Sequence, residues 1–139
     1  MIVLRCAPQC FLLIEATSPA FLQTMSIPLR AGRAFTAADN AQAPRIVIIN
    51  ESLAKHYWPN QNAVGRHMVV GRSTAAEIVG VAADVKNRGL VADPQEQLYL
   101  PFAQLAWNRM NLLVRTATDP HSITSAVRAR SPALILISR

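Results

Sequence analysis

Three features of the 139-residue chain predict an α+β fold of two lobes. Residues 44–65 read as a strand, a helix and a turn in one unit. Residues 12–19 and 112–120 share the order apolar strand, threonine, capping residue, proline, helix, with one residue of offset between the two copies. The stretch between them is rich in strand-type residues. Two βαβ half-units at the ends of the chain, with a β-rich segment carrying one helix inserted between them, account for all three features.

Phe11 to Ile14 opens the first strand, which runs on through Glu15, Ala16 and Thr17. Ser18 then caps a helix that has Pro19 at its first position. Phe21, Leu22 and Met25 share one face of that helix, and Ile27-Pro28 closes it. Leu29 to Phe35 is a short strand or turn pivoting on Gly32, and a polar connection leads from Thr36 to Pro44. Ile46 to Ile49 are four consecutive β-branched residues, the pattern of a strand buried on both faces. Asn50 caps the next helix, and Glu51 stands where the helix dipole favours negative charge. Leu53, Ala54, Tyr57 and Trp58 form its apolar face until Pro59 stops it. Asn60 to Asn62 make a turn, and Gly65 lets the chain swing into the next strand.

Arg66 to Val70 alternates polar and apolar residues as a strand does, and Gly71 to Thr74 makes a hairpin turn. Ala76 to Val85 returns as a strand in which Gly80 marks a bulge or a close backbone approach. A loop over residues 86–90 and a turn at Asp93-Pro94 lead to a short strand, Gln97 to Leu100, which stops at Pro101-Phe102. Met110 to Thr116 is a further strand. Thr118-Asp119-Pro120 opens a last helix with faces set by Ile123, Ala126, Val127 and Arg130, and Leu134 to Ile137 is the final strand.

Composition sets bounds on function. The chain is 51% hydrophobic and 16% charged, which is apolar for a soluble domain and too apolar for a disordered one. No apolar run approaches the ~20 residues of a membrane helix, so the chain as given does not span a bilayer. Net charge is +6, shared evenly between the halves: residues 1–70 hold six basic and three acidic side chains, residues 71–139 eight and five. Scattered arginine of this kind makes a solvated surface, and nucleic acid is not expected as a partner. The competing class is a stand-alone basic α+β module that binds an anionic ligand or nucleic acid. Cys6 and Cys10 form a C-x3-C pair with no second ligand pair, a poor zinc signal, in residues 1–10, which receive no assignment.

The segment from Gly65 to Ser73 has the wrong glycine spacing for a phosphate-binding loop, carries Arg72 in place of lysine, and lies between strands. His56, His67 and His121 lack metal-ligand spacing, and His56 reads as a polar-face residue. Asp84 with Lys86 reads as an ion pair at a strand end. Ser18 and Ser52 are explained by helix starts, Arg30 and Arg33 by surface charge, and Trp58 by core packing, with Tyr57, Phe102 and Trp107 as further contact aromatics. No catalytic, cofactor-binding or metal-binding residue is assigned, no cofactor is expected, and the chain is not expected to be an enzyme.

The central unit also carries a family resemblance. A strand ending in Asn50-Glu51, a helix with Leu53-Ala54 and Trp58-Pro59, then a polar turn and Val64-Gly65-Arg66 resembles the MacB-like periplasmic core domain of MacB/FtsX-type ABC-transporter permeases. Four flanking blocks are similar as well: residues 18–35, residues 78–90, residues 99–104, and residues 113–120. Together they span roughly residues 11–137 in the expected order, with the duplicated orphan permease branch as the nearest likeness. The resemblance implies that residues 11–139 are one such domain, with 11–43 and 106–139 as porter-like halves and 44–105 as the inserted lobe. It implies an extracytoplasmic position, a non-catalytic role coupling transporter motion to substrate export or partner proteins, and ATP hydrolysis by a separate cytoplasmic ATPase subunit. Implied partners are the permease transmembrane helices, that ATPase, and a periplasmic adaptor or a second permease copy. Without membrane helices at its ends, the chain is expected to be a fragment of a permease or a truncated product.

Overall fold

The computed structural model describes residues 2–3, 12–70, 74–85, 94–105, 111–117, 119 and 122–123. The chain forms two units, residues 1–107 and 108–139. Every element named below belongs to the first.

Seven strands make one mixed sheet: β1 (Ile2–Val3), β2 (Leu13–Thr17), β3 (Leu29–Gly32), β4 (Ile46–Asn50), β5 (His67–Val70), β6 (Thr74–Ala82) and β7 (Gln97–Pro101). Their order is β1-β5-β6-β4-β7-β2, with β3 also on β6. The long β6 is the organiser. One of its edges is shared, antiparallel, by β5 and then β3, and β4 runs parallel along the other. β7 is antiparallel to β4 and parallel to β2. Few helices accompany the sheet, so the fold is α+β, as the sequence predicts.

The residues of β4 alternate between two cores. Val47 and Ile49 pack with Leu53 and Trp58 of α2 (Glu51–Tyr57 and its C-cap), Met68, Ile78 and Leu98. Ile46 and Ile48 pack on the opposite face with Leu22 of α1 (Phe21–Thr24), Phe35, Val79 and Tyr99. All four are buried, as the unbroken β-branched run predicts. Each such side chain contributes about 1.5–3 kcal/mol by leaving water.

The start of α1 differs from expectation. Ser18 does not cap it; the N-cap is Ala20, and Ser18 instead accepts from the Phe21 N–H through its carbonyl at 3.1 Å, closing a turn that contains Pro19. After a single helical turn the chain leaves by a Schellman motif. Ser26 takes φ of 56°, its N–H bonds Gln23 O at 3.1 Å, and the Ile27 N–H reaches Leu22 O at 2.8 Å. Ile27 and Leu22 then pack together, while Met25 lies past the helix and is exposed.

Two further expectations change. A boundary between residues 43 and 44 does not divide the sheet, because β2 and β3 on one side of it hydrogen-bond β7 and β6 on the other. Backbone pairing, which sequence period does not specify, joins what composition separates. Residues 111–116, expected as strand, join no ladder among the described residues, and Leu112, Leu113 and Val114 are about half exposed. A short apolar run becomes a strand only where an edge receives it. The last helix and strand expected after residue 117, and the loop at 86–90, fall largely or wholly outside the described residues.

Gly32 and Gly80 face each other across β3 and β6, and both expectations about them hold. Val79 is the extra residue between the Val47–Ile78 and Ile48–Gly80 pairs, a bulge in a parallel ladder. The Arg33 N–H bonds the Val79 carbonyl at 2.9 Å, pulling the two backbones together. A methyl group on Gly32, whose φ is +74°, would lie 2.1 Å from the Val79 oxygen; one on Gly80 would lie 2.6 Å from the Arg33 oxygen. Gly65, with φ of +82°, has open space around the same position. We therefore expect Gly32→Ala and Gly80→Ala each to lower the stability by about 2–4 kcal/mol. Gly65→Ala should cost only about 1 kcal/mol. Urea melts of the three variants measure this; equal losses at all three positions would contradict the close approach.

Candidate functional site

Two of the buried polar residues, Asn50 and Gln97, meet at the junction of β4 and α2. Asn50 has no exposed surface, yet every hydrogen-bonding valence it needs is met. Its Oδ1 accepts from the N–H groups of Leu53 (3.1 Å) and Gln97 (3.0 Å). Its Nδ2 donates to Asp84 Oδ1 (2.7 Å) and to the Gln95 carbonyl (2.8 Å). The helix cap read from the sequence is thus also a clamp between β4, the end of β6 and the entry to β7. Asp84 takes two more bonds, from the Ser52 N–H and hydroxyl, both at 2.9 Å. Ser52 therefore ties α2 to β6 and is spent on a carboxylate. Lys86, its expected partner, lies outside the described residues.

Gln104 closes the other end of β4. Sitting on the short 3-10 turn Phe102–Gln104, it accepts from the Ile46 N–H and donates to the carbonyls of Asn40 and Pro44. Arg45 bonds the Gln104 carbonyl at 3.0 Å. Two amides, one at each end, therefore hold the central strand.

Arg30 and Arg33 are surface residues as predicted, and each also has an acidic partner. Arg33 grips the buried carboxylate of Asp39 with both terminal nitrogens, at 2.8 and 2.9 Å. Asp39 also accepts from the N–H and hydroxyl of Thr36 at 2.7 and 3.1 Å. The Arg33 bond first, and the Thr36 bonds with it, outweigh burial and hold the Asp39 carboxyl down to about 2. The sequence signal for this is a Thr-x-x-Asp spacing after Arg33, inside the polar connection from Thr36 to Pro44.

A second acidic group behaves oppositely. Glu15 on β2 is half-buried beside Tyr99 in the β2–β7 register, and desolvation raises its pKa despite a hydrogen bond from Gln97. Burial likewise raises the Tyr99 phenol, with the charges of Glu15 and Asp84 adding to it. The Tyr99 hydroxyl and the Thr17 hydroxyl are buried and have no hydrogen-bond partner among the described residues.

Of the remaining singled-out residues, Trp58 is buried in the α2 core and Tyr57 packs beside it. His56 is exposed on the polar face of α2, stacked on Tyr57 and paired through Nδ1 with Glu96. His67 is exposed at the start of β5. His121, Trp107, Cys6 and Cys10 lie outside the described residues. No group of three or more His, Cys, Asp or Glu at metal-binding geometry occurs among the described residues. None of their helices is long and apolar enough to cross a membrane. What the junction can do is mechanical: it locks one helix and three strand ends into a single body.

A model of the family described as the MacB-like periplasmic core domain matches residues 7–134. The protein named Probable export ATP-binding/permease protein MacB, from Pseudomonas entomophila (strain L48), is 29% identical over 94 residues, covering 67% of this chain and 14% of that protein. The periplasmic region of MacB from Actinobacillus actinomycetemcomitans shares the fold with a TM-score of 0.63 at 18% identity, over 86% of this chain and 56% of that one. A domain assigned to a permease protein of Porphyromonas gingivalis gives 0.51 at 20% identity, over 83% and 56%. The chain thus spans about a seventh of the curated relative and little over half of each solved structure.

Two measurements test the junction and its flanking charges. Asn50→Asp removes the amide donor and sets a carboxylate against Asp84; we expect a loss of about 3–5 kcal/mol in a denaturant melt, and an unchanged midpoint would refute the clamp. The acidic groups predict opposite pH trends. Asp39, lowered in the folded state, adds stability that is present above the unfolded value near 3.8 and is lost as pH falls toward 2. Glu15, raised in the folded state, favours folding at low pH and opposes it as pH rises through its folded value. Melting temperatures from pH 2 to 8 should show Asp39→Asn less stable than wild type at neutral pH, and Glu15→Gln more stable there, with both differences vanishing at the acid end.

Proposed function

The chain belongs to the MacB-like periplasmic core domain family, and from that premise we propose that it couples the motion of an ABC-transporter permease to substrate export. The family places it as an extracytoplasmic domain of such a permease. The observation that carries the proposal is the family match across residues 7–134, nearly the whole chain. The physical support is the body described above: a central strand packed on both faces and pinned at each end by a buried amide. A body of this kind moves as a unit, because close-packed interiors transmit strain and do not absorb it. In this reading the domain is non-catalytic, and the reaction that drives it, ATP hydrolysis, occurs in a cytoplasmic ATPase partner. The permease helices and that ATPase are its obligate partners, with a periplasmic adaptor or a second permease copy as its outer contact. It works on the periplasmic or extracytoplasmic face of the cytoplasmic membrane.

The reading predicts a separation of two activities in the parent transporter. Replacing residues 7–134 of that permease with a short flexible linker should abolish export while ATP hydrolysis by the ATPase partner continues. Export at the wild-type rate after the replacement would overturn the coupling role, and it is measured as substrate efflux alongside phosphate release.

A further inference from the structure

Beside α2 lies a hollow of about 200 Å³ that the coupling role does not explain. It opens because small side chains stand where larger ones would fill the space between α2, β3 and the turn after α2. Ala54, Ala63 and Val81 form an apolar floor. Around them the rim is charged: Arg30 on β3, and Glu51 and Lys55 on α2. Gln61 and Asn62 complete the rim, and Arg66 bonds Gln61 at 3.1 Å.

We propose that this hollow is a docking site for an acidic segment of a partner protein, which seats one apolar side chain in it. The inference rests on this geometry and not on the transporter assignment. Size is the first argument. Small-molecule sites enclose roughly 300–1,000 Å³, so this hollow suits a single leucine-sized anchor better than a whole ligand. Charge is the second. Arg30 and Lys55 share a single carboxylate, Glu51, at 3.4 and 4.0 Å, at the far limit for such pairs. Arg66 is tied to a neutral amide. Two cations against one anion leave the rim positive, with Arg66 close behind it on Gln61, and the cationic rim side chains are well exposed, 55% for Arg30 and 76% for Lys55. Partner carboxylates can take over these long contacts at small cost, since exposed pairs are worth about 0–1 kcal/mol. The floor is the third. A bare phosphate gains nothing from alanine and valine, whereas an aliphatic side chain leaves water on entering.

The test uses the full chain and a fluorescein-labelled peptide with one leucine flanked on each side by two acidic residues, titrated by fluorescence anisotropy. We expect saturable one-to-one binding, weakened about tenfold or more in Arg30→Gln/Lys55→Gln, as rim charges set steering and specificity. Ala54→Phe, which fills the hollow and keeps the charges, should weaken it as much. Asn62→Trp at the exposed rim repeats that test where Ala54→Phe melts early. Arg45→Gln, at a residue of the same unit that does not line the hollow, should bind as wild type does, and a peptide with serine in place of leucine should bind poorly. Absence of saturable binding overturns the proposal. So does equal weakening by Arg45→Gln, or full binding by both filled variants. Tighter binding to phosphatidylglycerol vesicles, lost in the same rim variants, would replace the peptide by a lipid and also overturn it.

Discussion

One buried amide sets the geometry of the rest. Asn50 ends the central strand and begins α2, and its two polar atoms each serve two partners. An amide with no exposed surface cannot fall back on water, so every group it meets must stay in place together. That requirement fixes the start of α2 against β4, the end of β6 through Asp84, and the entry to β7 through Gln95 and Gln97. Asp84 is in turn saturated by Ser52. Register in this part of the sheet is therefore held by a polar constraint as well as by apolar packing.

Small residues do the complementary work. The Gly32–Gly80 contact lets β3 lie on β6 beside a bulge, and the bulge shifts the pairing with β4 by one residue. The result is that Ile78 and Val81, three residues apart, face the same core, while Val79 and Ala82 face the other. The alanines at 54 and 63 leave the hollow beside α2, where bulkier residues would have continued the apolar core. In both places the absence of side-chain volume shapes the molecule, in one case by allowing two backbones to meet and in the other by leaving space unfilled.

The parts legible in the sequence were those governed by local chemistry. The Ile46–Ile49 run, the Asn50 cap, the apolar face of α2 with its Pro59 stop, and the glycine at the bulge each carry their cause within a few residues. What could not be read depends on distant partners. Nothing near Asn50 announces that its amide also meets Asp84 and Gln97, and the pairing of β2 with β7 joins residues more than eighty positions apart. Short elements also resisted: α1 is one turn long, so its Ser-Pro start signal was absorbed into a turn, and Met25 fell outside the helix assigned to it. Arg33 with Asp39 sits between these cases, local in sequence but spanning a connection with no regular period.

The family assignment and the two-ended clamp on β4 bear on each other through stiffness. A domain that passes on motion must deform less than the contacts through which it is moved. The Asn50 junction and the Gln104 clip place the hydrogen-bonded restraints at the ends of β4, with the two apolar cores between them. The costs lie elsewhere: the unpartnered hydroxyls of Thr17 and Tyr99 and the desolvated Glu15 gather where β2 meets β7. An unmet buried hydroxyl costs about 1–3 kcal/mol, a sizeable share of a stability of about 5–15 kcal/mol. Rigidity centred on β4 and β6 with destabilising groups on the β2 side gives the sheet one firm region and one that opens first. The coupling role proposed above needs both, a stiff arm and a place where it yields.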